Sequence, residues 1–281
     1  MLKKIVFISI FVLVLCMPVN AVNGLGLISP DTDGLVWSTN IIFMGSFLDS
    51  GTQTRGNILE NLVMQEYLSD TQLTRNILYL SRLGTPMIVF GNGSEPRVMV
   101  VAGVHGNELP AQIASVKLIN YLKDKKINGT VIIVPFVSPT STAKNQRFWN
   151  DQNLNTLADK PGTPTFQILK LAKILKIDIL GDFHSTQPNA DPGRDSVFCS
   201  KSPTPESYDL AVYISQQTLS DLIVFENSGI EYKGAVEDTA NLAKITAVTC
   251  EVLSPHGMAQ KETIEKSFTQ MITLLKYKKI I

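Results

Sequence analysis

The feature that most constrains the fold is a succession of short apolar runs separated by amphipathic stretches. Several runs are apolar throughout rather than alternating, which is typical of strands covered on both faces of a sheet. The pattern predicts an α/β fold in one domain, with a mixed, largely parallel, doubly wound sheet and helices on both faces. The predicted strands are 87–91, 98–103, 131–137, 177–182, 222–226 and 245–251. The predicted helices are 110–125, 165–176, 205–220 and 259–278.

Composition and charge narrow the possible partners. Of 281 residues, 44% are hydrophobic and 18% are charged, which is enough apolar material to bury a sizeable core. The 25 basic residues balance the 25 acidic ones, and no basic stripe interleaved with aromatic residues is present. Nucleic acid is therefore not an expected partner, and chemistry on a small molecule or a peptide is favoured.

The N-terminus has the charged, apolar and small-residue order of a signal peptide. Lys3 and Lys4 precede an apolar run over 5–17, which is followed by "PVNAVNG". We therefore predict a signal peptide over 1–21, cleavage after Ala21, and an exported protein, extracytoplasmic or secreted. The alternative is an uncleaved N-terminal anchor, and this segment is the only expected contact with a membrane.

The remaining chain divides into an N-terminal segment and a catalytic domain. Residues 22–84 are predicted to form loops, short edge strands and a helical region over 59–83, interrupted near Ser69 and Asp70, that packs on a catalytic domain over 85–281. Cys199 and Cys250 remain after export, and the sequence leaves open a disulfide or two buried free thiols.

Polar side chains follow the predicted strands at their carboxyl ends, where the sites of such sheets gather. His105 and Glu108 come two and five residues after the strand that ends at Gly103, and His184 follows the strand that ends at Asp182. Two imidazoles and one carboxylate make a three-ligand zinc set with an open position. Taken singly, each has an alternative role, as a loop histidine or a carboxylate at a helix N-terminus.

Two further groups lie at strand ends. Glu251 ends an apolar run and, if it faces the metal, can exchange a proton with water and a leaving nitrogen. Arg147 follows another strand and can polarise a carbonyl. Alternatively, Glu251 is a structural ion-pair partner and Arg147 is an ordinary surface arginine. The third histidine, His256, is interpreted as a loop residue.

Four segments in this order, "GVHGNE", "SPTSTAKNQR", "DFHST" and "TCEVL", resemble the zinc-carboxypeptidase superfamily, in particular its succinylglutamate desuccinylase/aspartoacylase branch. The resemblance covers roughly 85–281. It implies a zinc-carboxypeptidase-like fold with one zinc ion per chain bound by His105, Glu108 and His184. It also implies that Glu251 is the general base and acid, and that Arg147 polarises the scissile carbonyl.

The resemblance also suggests residues around this centre, with departures. Asp182 is expected to orient the metal site. Asn155 matches the asparagine of an Asn-Arg pair that grips a substrate carboxylate, but Thr156 stands where the family has arginine. Arg194 is a candidate substitute, with a solvated loop charge as the alternative. Tyr232 is a candidate cover for the pocket, with a plain loop tyrosine as the alternative. Only 30 residues follow Glu251 (281 − 251), so we expect a minimal domain without the C-terminal β-rich domain of aspartoacylase-like enzymes.

The function that we predict is that of an exported zinc-dependent hydrolase, which cleaves an amide bond in a small N-acyl amino acid or a peptide. One alternative is a metallocarboxypeptidase that removes C-terminal residues, for example from cell-wall peptides. An alternative of another class is a non-catalytic binding protein that retains the fold.

Overall fold

A computed structural model describes residues 40–48 and 53–281, and the predicted signal peptide lies outside these residues. Within the described residues, eight strands form one sheet. The strands are β1 (Ile41–Leu48), β2 (Gly84–Gly91), β3 (Arg97–Ala102), β4 (Thr130–Val134), β5 (Ile179–Thr186), β6 (Ser196–Ser202), β7 (Asp221–Asn227) and β8 (Thr246–Leu253).

The sheet is mixed and mostly parallel, as predicted. Its order is β1-β2-β4-β3-β5-β8-β6-β7. The pairs β3–β4, β3–β5, β5–β8 and β6–β7 are parallel, whereas β1–β2, β2–β4 and β6–β8 are antiparallel. The carboxyl ends of β3, β5 and β8 lie side by side, so side chains at these three ends are brought together.

Helices cover both faces of the sheet. They are α1 (Leu62–Tyr67), α2 (Gln72–Ser81), α3 (Leu109–Leu122), α4 (Pro139–Ala143), α5 (Pro164–Ile174), α6 (Glu206–Thr218), α7 (Val236–Leu242) and α8 (Lys261–Tyr277). Val98 and Val100 of β3 belong to a core cluster with α3, α6 and α8, whereas Met99 and Val101 belong to one with α5 and α7. Because successive strand residues point to opposite faces, a strand between two helical layers must be apolar throughout.

The structure differs from the predicted elements in two ways that matter for the site. The predicted strand 177–182 begins later and continues to Thr186, so that His184 lies within β5 rather than after it. Strand β6 and helix α7 were not predicted, because SVFCSKS and VEDTANL are short and carry polar residues. None of the described helices is long and apolar enough to cross a membrane.

The region before the predicted catalytic domain contributes β1, α1 and α2. Strand β1 pairs with β2 at one edge of the sheet, which agrees with the expected edge strand. The predicted interruption of the helical region is confirmed, because α1 ends at Tyr67 and α2 begins at Gln72 with Thr71 as its N-cap. The division of the chain into 22–84 and 85–281 stays a prediction.

The two cysteines of the described part of the chain are free thiols. Cys199 of β6 and Cys250 of β8 are both fully buried and do not form a disulfide. Burial raises the pKa of Cys199 to about 12, and that of Cys250 well above its usual value. Both side chains therefore act as small apolar core residues.

Candidate active site

His105 and Glu108 are held in a tight turn between β3 and α3. Glu108 is the N-cap residue of α3, and its backbone N–H donates to the carbonyl of His105 at 3.3 Å. The Gln112 amide donates to the carbonyls of His105 and Glu108 at 3.2 and 3.0 Å, while its oxygen accepts from Thr142 at 2.7 Å. The turn is thus fixed by a buried side chain from the first turns of α3.

Gly106 allows this turn to approach the backbone of α4. A Cβ atom added there would lie 2.2 Å from the carbonyl carbon of Ser141. We expect Gly106→Ala to lower the free energy of unfolding by about 1–3 kcal/mol, because backbone atoms cannot move aside as a flexible side chain would. Metal affinity should fall with it, since the displaced turn carries His105 and Glu108.

Denaturant unfolding and metal titration of Gly106→Ala test this expectation. Gly162→Ala is the control, because nothing lies within 4 Å of a Cβ atom there although φ is +93°. That change should cost about 1 kcal/mol of backbone strain and leave metal affinity unchanged. An unaltered stability and metal affinity in Gly106→Ala would contradict the close approach.

The carboxylate of Glu108 lies between the two histidines. Its Oε1 is 2.7 Å from His105 Nδ1, and its Oε2 is 2.7 Å from His184 Nδ1. One ligand atom from each of the three residues lies within 4.8 Å of the others, and all three residues are buried. The backbone N–H of Ser185 also donates to Glu108 Oε2 at 3.2 Å. The structure therefore brings together the three predicted metal ligands.

The second nitrogen of each histidine faces an oxygen. His105 Nε2 donates to Asn153 Oδ1 at 2.8 Å, and His184 Nε2 lies 3.0 Å from Asp182 Oδ2. Asp182 is fully buried beneath the site. Metal-binding histidines are commonly oriented in this way, with the other ring nitrogen directed at a carbonyl or carboxylate.

The electrostatics of the cluster favour a cation. Burial acts to raise the pKa of Glu108, but the adjacent His105 and His184 outweigh it and hold the pKa well below its usual value. Burial likewise acts to lower the pKa of His184, but Asp182 and Glu108 raise it well above its usual value. The carboxylates thus stabilise a positive charge between them, and a bound metal ion would supply the same charge.

A pocket of about 320 Å³ opens beside this cluster. Glu251, on β8 next to His184 on β5, lines it, and its buried Oε2 has no hydrogen-bond partner among the described residues. Burial, together with Glu108 and Asp182, raises the pKa of Glu251 to about 8, although His184 and Arg147 oppose the shift. A carboxyl group with such a pKa can accept and return a proton near neutral pH.

Three other predicted residues also line the pocket. Arg147 donates to Glu108 Oε1 at 2.6 Å and is therefore held at the mouth of the cluster. Asn155 has a buried side-chain oxygen without a hydrogen-bond partner. Tyr232 is 40% exposed, and its ring packs edge-on against Phe198 with the centroids 5.7 Å apart. These positions are compatible with the substrate contacts expected for Asn155 and Tyr232, which stay predictions.

The geometry does not bring Arg194 to the pocket. Its Nε lies 2.5 Å from Asp221 Oδ2, and both side chains are more than half exposed. Arg194 thus forms an ion pair at the surface with Asp221, the first residue of β7. This contact agrees with the alternative that Arg194 is a solvated loop charge. Thr156 is exposed as well, and its hydroxyl donates to the carbonyl of Asn153 at 2.9 Å.

Comparisons with known proteins agree with this arrangement. Residues 94–277 match the model of the succinylglutamate desuccinylase/aspartoacylase catalytic domain. The chain belongs to this family. A comparison with curated protein sequences gave no match.

Solved structures of the family and of related proteins share the fold. An aspartoacylase family protein from Mesorhizobium loti matches with a TM-score of 0.54 at 20% identity, over 68% of this chain and 62% of that one. The product-bound ectoine utilization protein EutE (DoeB) from Ruegeria pomeroyi matches with 0.56 at 17%, over 71% and 63%. The tripeptide-bound cell shape determinant Csd4 from Helicobacter pylori matches with 0.56 at 14%, over 70% and 56%. This chain thus spans less than two thirds of each of these proteins.

Sequence reasoning missed three residues of the site in this family member. His256 lines the pocket, donates from Nε2 to the Ser185 carbonyl at 3.0 Å and lies 3.5 Å from Glu108 Oε1. The strand-end rule applied to β8 would have indicated it, because it follows the end of that strand by three residues. Asn153 and Glu237 carried no such signal, since one lies in an irregular loop and the other in an unpredicted helix.

The hydrogen bond that His105 donates to Asn153 gives a prediction. Asn153 Oδ1 also accepts from the backbone N–H of Asn155 at 3.1 Å, which fixes the oxygen toward the ring. We expect Asn153→Ala to lower zinc affinity about 10- to 100-fold, because His105 loses its orienting partner. Titration against a chromophoric chelator measures this.

Asn155→Ala is the matched control for Asn153→Ala. It removes an amide two residues away whose oxygen has no hydrogen-bond partner, so zinc affinity should not change. Equal zinc affinities for the parent and Asn153→Ala would show that the bond does not orient the metal ligand.

Proposed function

We propose that this protein is an exported zinc-dependent hydrolase that cleaves an amide bond in a small N-acyl amino acid or a peptide. The observation that carries the proposal is the convergence of His105, Glu108 and His184 beside a pocket that also holds Glu251 and Arg147. Family membership supports it, because the matched model describes the catalytic domain of desuccinylases and aspartoacylases.

The donor set fits zinc. Two imidazole nitrogens and one carboxylate oxygen are the ligands of open, catalytic zinc sites, and both imidazoles have an oxygen at the second ring nitrogen. We infer one zinc ion per chain, held by His105, Glu108 and His184. The metal would supply Lewis acidity, which acidifies water and polarises a carbonyl oxygen.

Two side chains of the pocket would provide proton transfer and stabilisation of the developing negative charge. Glu251 would take a proton at Oε2 from the attacking water and deliver it to the leaving nitrogen, since this oxygen has no competing partner. Arg147 would donate a hydrogen bond to the carbonyl oxygen as it gains negative charge, held in place by its contact with Glu108. Asp182 would keep His184 in its orientation from below.

The substrate we propose is small. The pocket volume of about 320 Å³ suits an N-acyl amino acid or a short peptide segment. Asn155 and Tyr232, which line the pocket, would contact it. The structures of EutE and Csd4 hold a product and a tripeptide, which supports a small ligand in this fold by analogy. The proposed export is supported by Lys3, Lys4 and the apolar run behind them, and it would favour a substrate met outside the cytoplasm.

A carboxypeptidase acting on cell-wall peptides is the second candidate. It would need a cation for the free terminal carboxylate, and among the described residues that line the pocket Arg147 is the only arginine or lysine. Because Arg147 is already assigned to the carbonyl, no second arginine or lysine of this lining is left for a free carboxylate, which an N-acyl amino acid carries as well. Family membership, rather than the lining, therefore favours the deacylase-type reaction.

The test combines metal analysis with a substrate panel. We expect about one zinc per purified chain by mass spectrometry, and hydrolysis of at least one member of a panel of N-acyl amino acids and peptides. Faster release from peptides with a free C-terminus than from their amides would favour the carboxypeptidase. Absence of bound metal after incubation with excess zinc would contradict the hydrolase and leave the non-catalytic binding protein.

A further inference from the structure

The wall of the pocket includes a glutamate, Glu237, that the proposed reaction does not use. Glu237 lines the pocket and is 5% exposed, and it lies in the first turn of α7. Thr249 also lines the pocket and shares one face of β8 with Glu251. Residues two apart on a strand are separated by about 7 Å, so the pocket continues from the reacting centre along β8 toward the interior of the sheet.

A buried network holds Glu237 in place. The Asn241 amide nitrogen donates to Glu237 Oε1, and its oxygen accepts from Ser207 Oγ at 2.6 Å and from the backbone N–H of Ala247 at 3.2 Å. These acceptor contacts fix which end of the Asn241 amide faces Glu237. The hydrogen bond from Asn241 therefore holds the carboxyl group in one orientation, while Glu237 lines the pocket. A residue that recognises a ligand needs such a fixed orientation.

The ionisable neighbours that shift the pKa of Glu237 are carboxyl groups. Burial, Asp238 and Asp182 all raise its pKa well above the usual value, against smaller opposing contributions from Asn241 and the Ser200 backbone. The pocket wall carries the carboxyl groups of Glu108, Asp191, Glu237 and Glu251 against one arginine, Arg147. The shift favours the protonated form of Glu237 in the free protein, and an ammonium group placed against it would favour the carboxylate, whereas an anion would not.

We propose that Glu237 is a specificity-determining residue, which selects substrates that carry a side-chain ammonium group, such as an N-acylated lysine or ornithine or a peptide containing one. The inference rests on the proposed hydrolase pocket and names its substrate class. The aliphatic stem of such a side chain would pack against Phe198, which lines the pocket and is 7% exposed. The ammonium group would donate to the Glu237 carboxylate.

The test compares Nα-acetyl-lysine with Nα-acetyl-norleucine, which lacks only the ammonium group, each as free acid and as carboxamide. Equilibrium binding by calorimetry and kcat/KM are measured for the zinc-loaded protein. We expect the parent to favour the lysine compounds at least about tenfold, because a buried charged hydrogen bond is lost with norleucine. Glu237→Gln should abolish this preference, mainly by weakening the binding of the lysine compounds. Glu237→Asp should restore part of the preference.

Asp191→Asn is the matched control, because it removes the same charge from an exposed loop residue of the same pocket. Its lysine preference should fall by no more than about threefold, since exposed charges are screened. Binding that prefers lysine without any turnover would refute the hydrolase and retain this inference. Equal affinity for both compounds, a preference for norleucine, or an unchanged preference in a folded Glu237→Gln would overturn it.

Discussion

Glu251→Gln is expected to lower kcat for amide hydrolysis by roughly a thousandfold, because glutamine cannot accept the proton of the attacking water. The side chain keeps its size, so zinc content and KM should stay close to those of the parent. The expectation depends on the buried Oε2 of Glu251, which has no hydrogen-bond partner among the described residues and is therefore free to take the proton. Steady-state kinetics and metal analysis of the same preparation measure it.

Glu226→Gln is the matched control for this variant. Glu226 is also a carboxylate near the end of a strand, but on β7 it pairs with Lys201 at the surface and is 74% exposed. Its removal should leave kcat unchanged. If Glu251→Gln retained more than about a tenth of the parent kcat with full zinc content, another group would have to be the general base.

His184→Ala is expected to lower zinc affinity by more than about a hundredfold, and hydrolysis should be lost with the metal. Removal of a direct ligand must cost more than removal of an orienting partner, which costs about 10- to 100-fold. The variant also leaves Glu108 Oε2 without the imidazole 2.7 Å away, so added zinc cannot regain the full donor set. Chelator competition and mass spectrometry of the metal content test both statements.

His256→Ala provides the comparison for His184→Ala. Its ring lies in the same pocket, 3.5 Å from Glu108 Oε1, but it is outside the cluster whose ligand atoms converge. Zinc affinity should change by less than about tenfold on its removal. Tight zinc binding in His184→Ala together with a loss in His256→Ala would show that the metal is held by a different pair of histidines.

The sequence predicted the central part of the fold well. The runs that became β3, β4 and β8 are apolar on both faces, and only a sheet between two helical layers can bury such strands. It failed at β6 and α7, where polar residues and short length hide the pattern. Both elements matter, because they contribute Phe198 and Glu237 to the pocket.

For the site, the sequence by itself determined which polar groups lie at or near the carboxyl ends of buried strands. His105, Glu108, His184 and Glu251 were found in this way, because a charged or metal-binding group at the end of an apolar run is costly unless it is paired or used.

Only the tertiary structure decided which other groups join them. In the structure, Asn153 accepts a hydrogen bond from His105, and His256 lies beside Glu108. Glu237 lines the pocket. Arg194 does not, because it pairs with Asp221 at the surface. The physical reason is that these contacts join loops and helices far apart in the chain. Their positions follow from strand order and packing, which no local pattern of residues encodes.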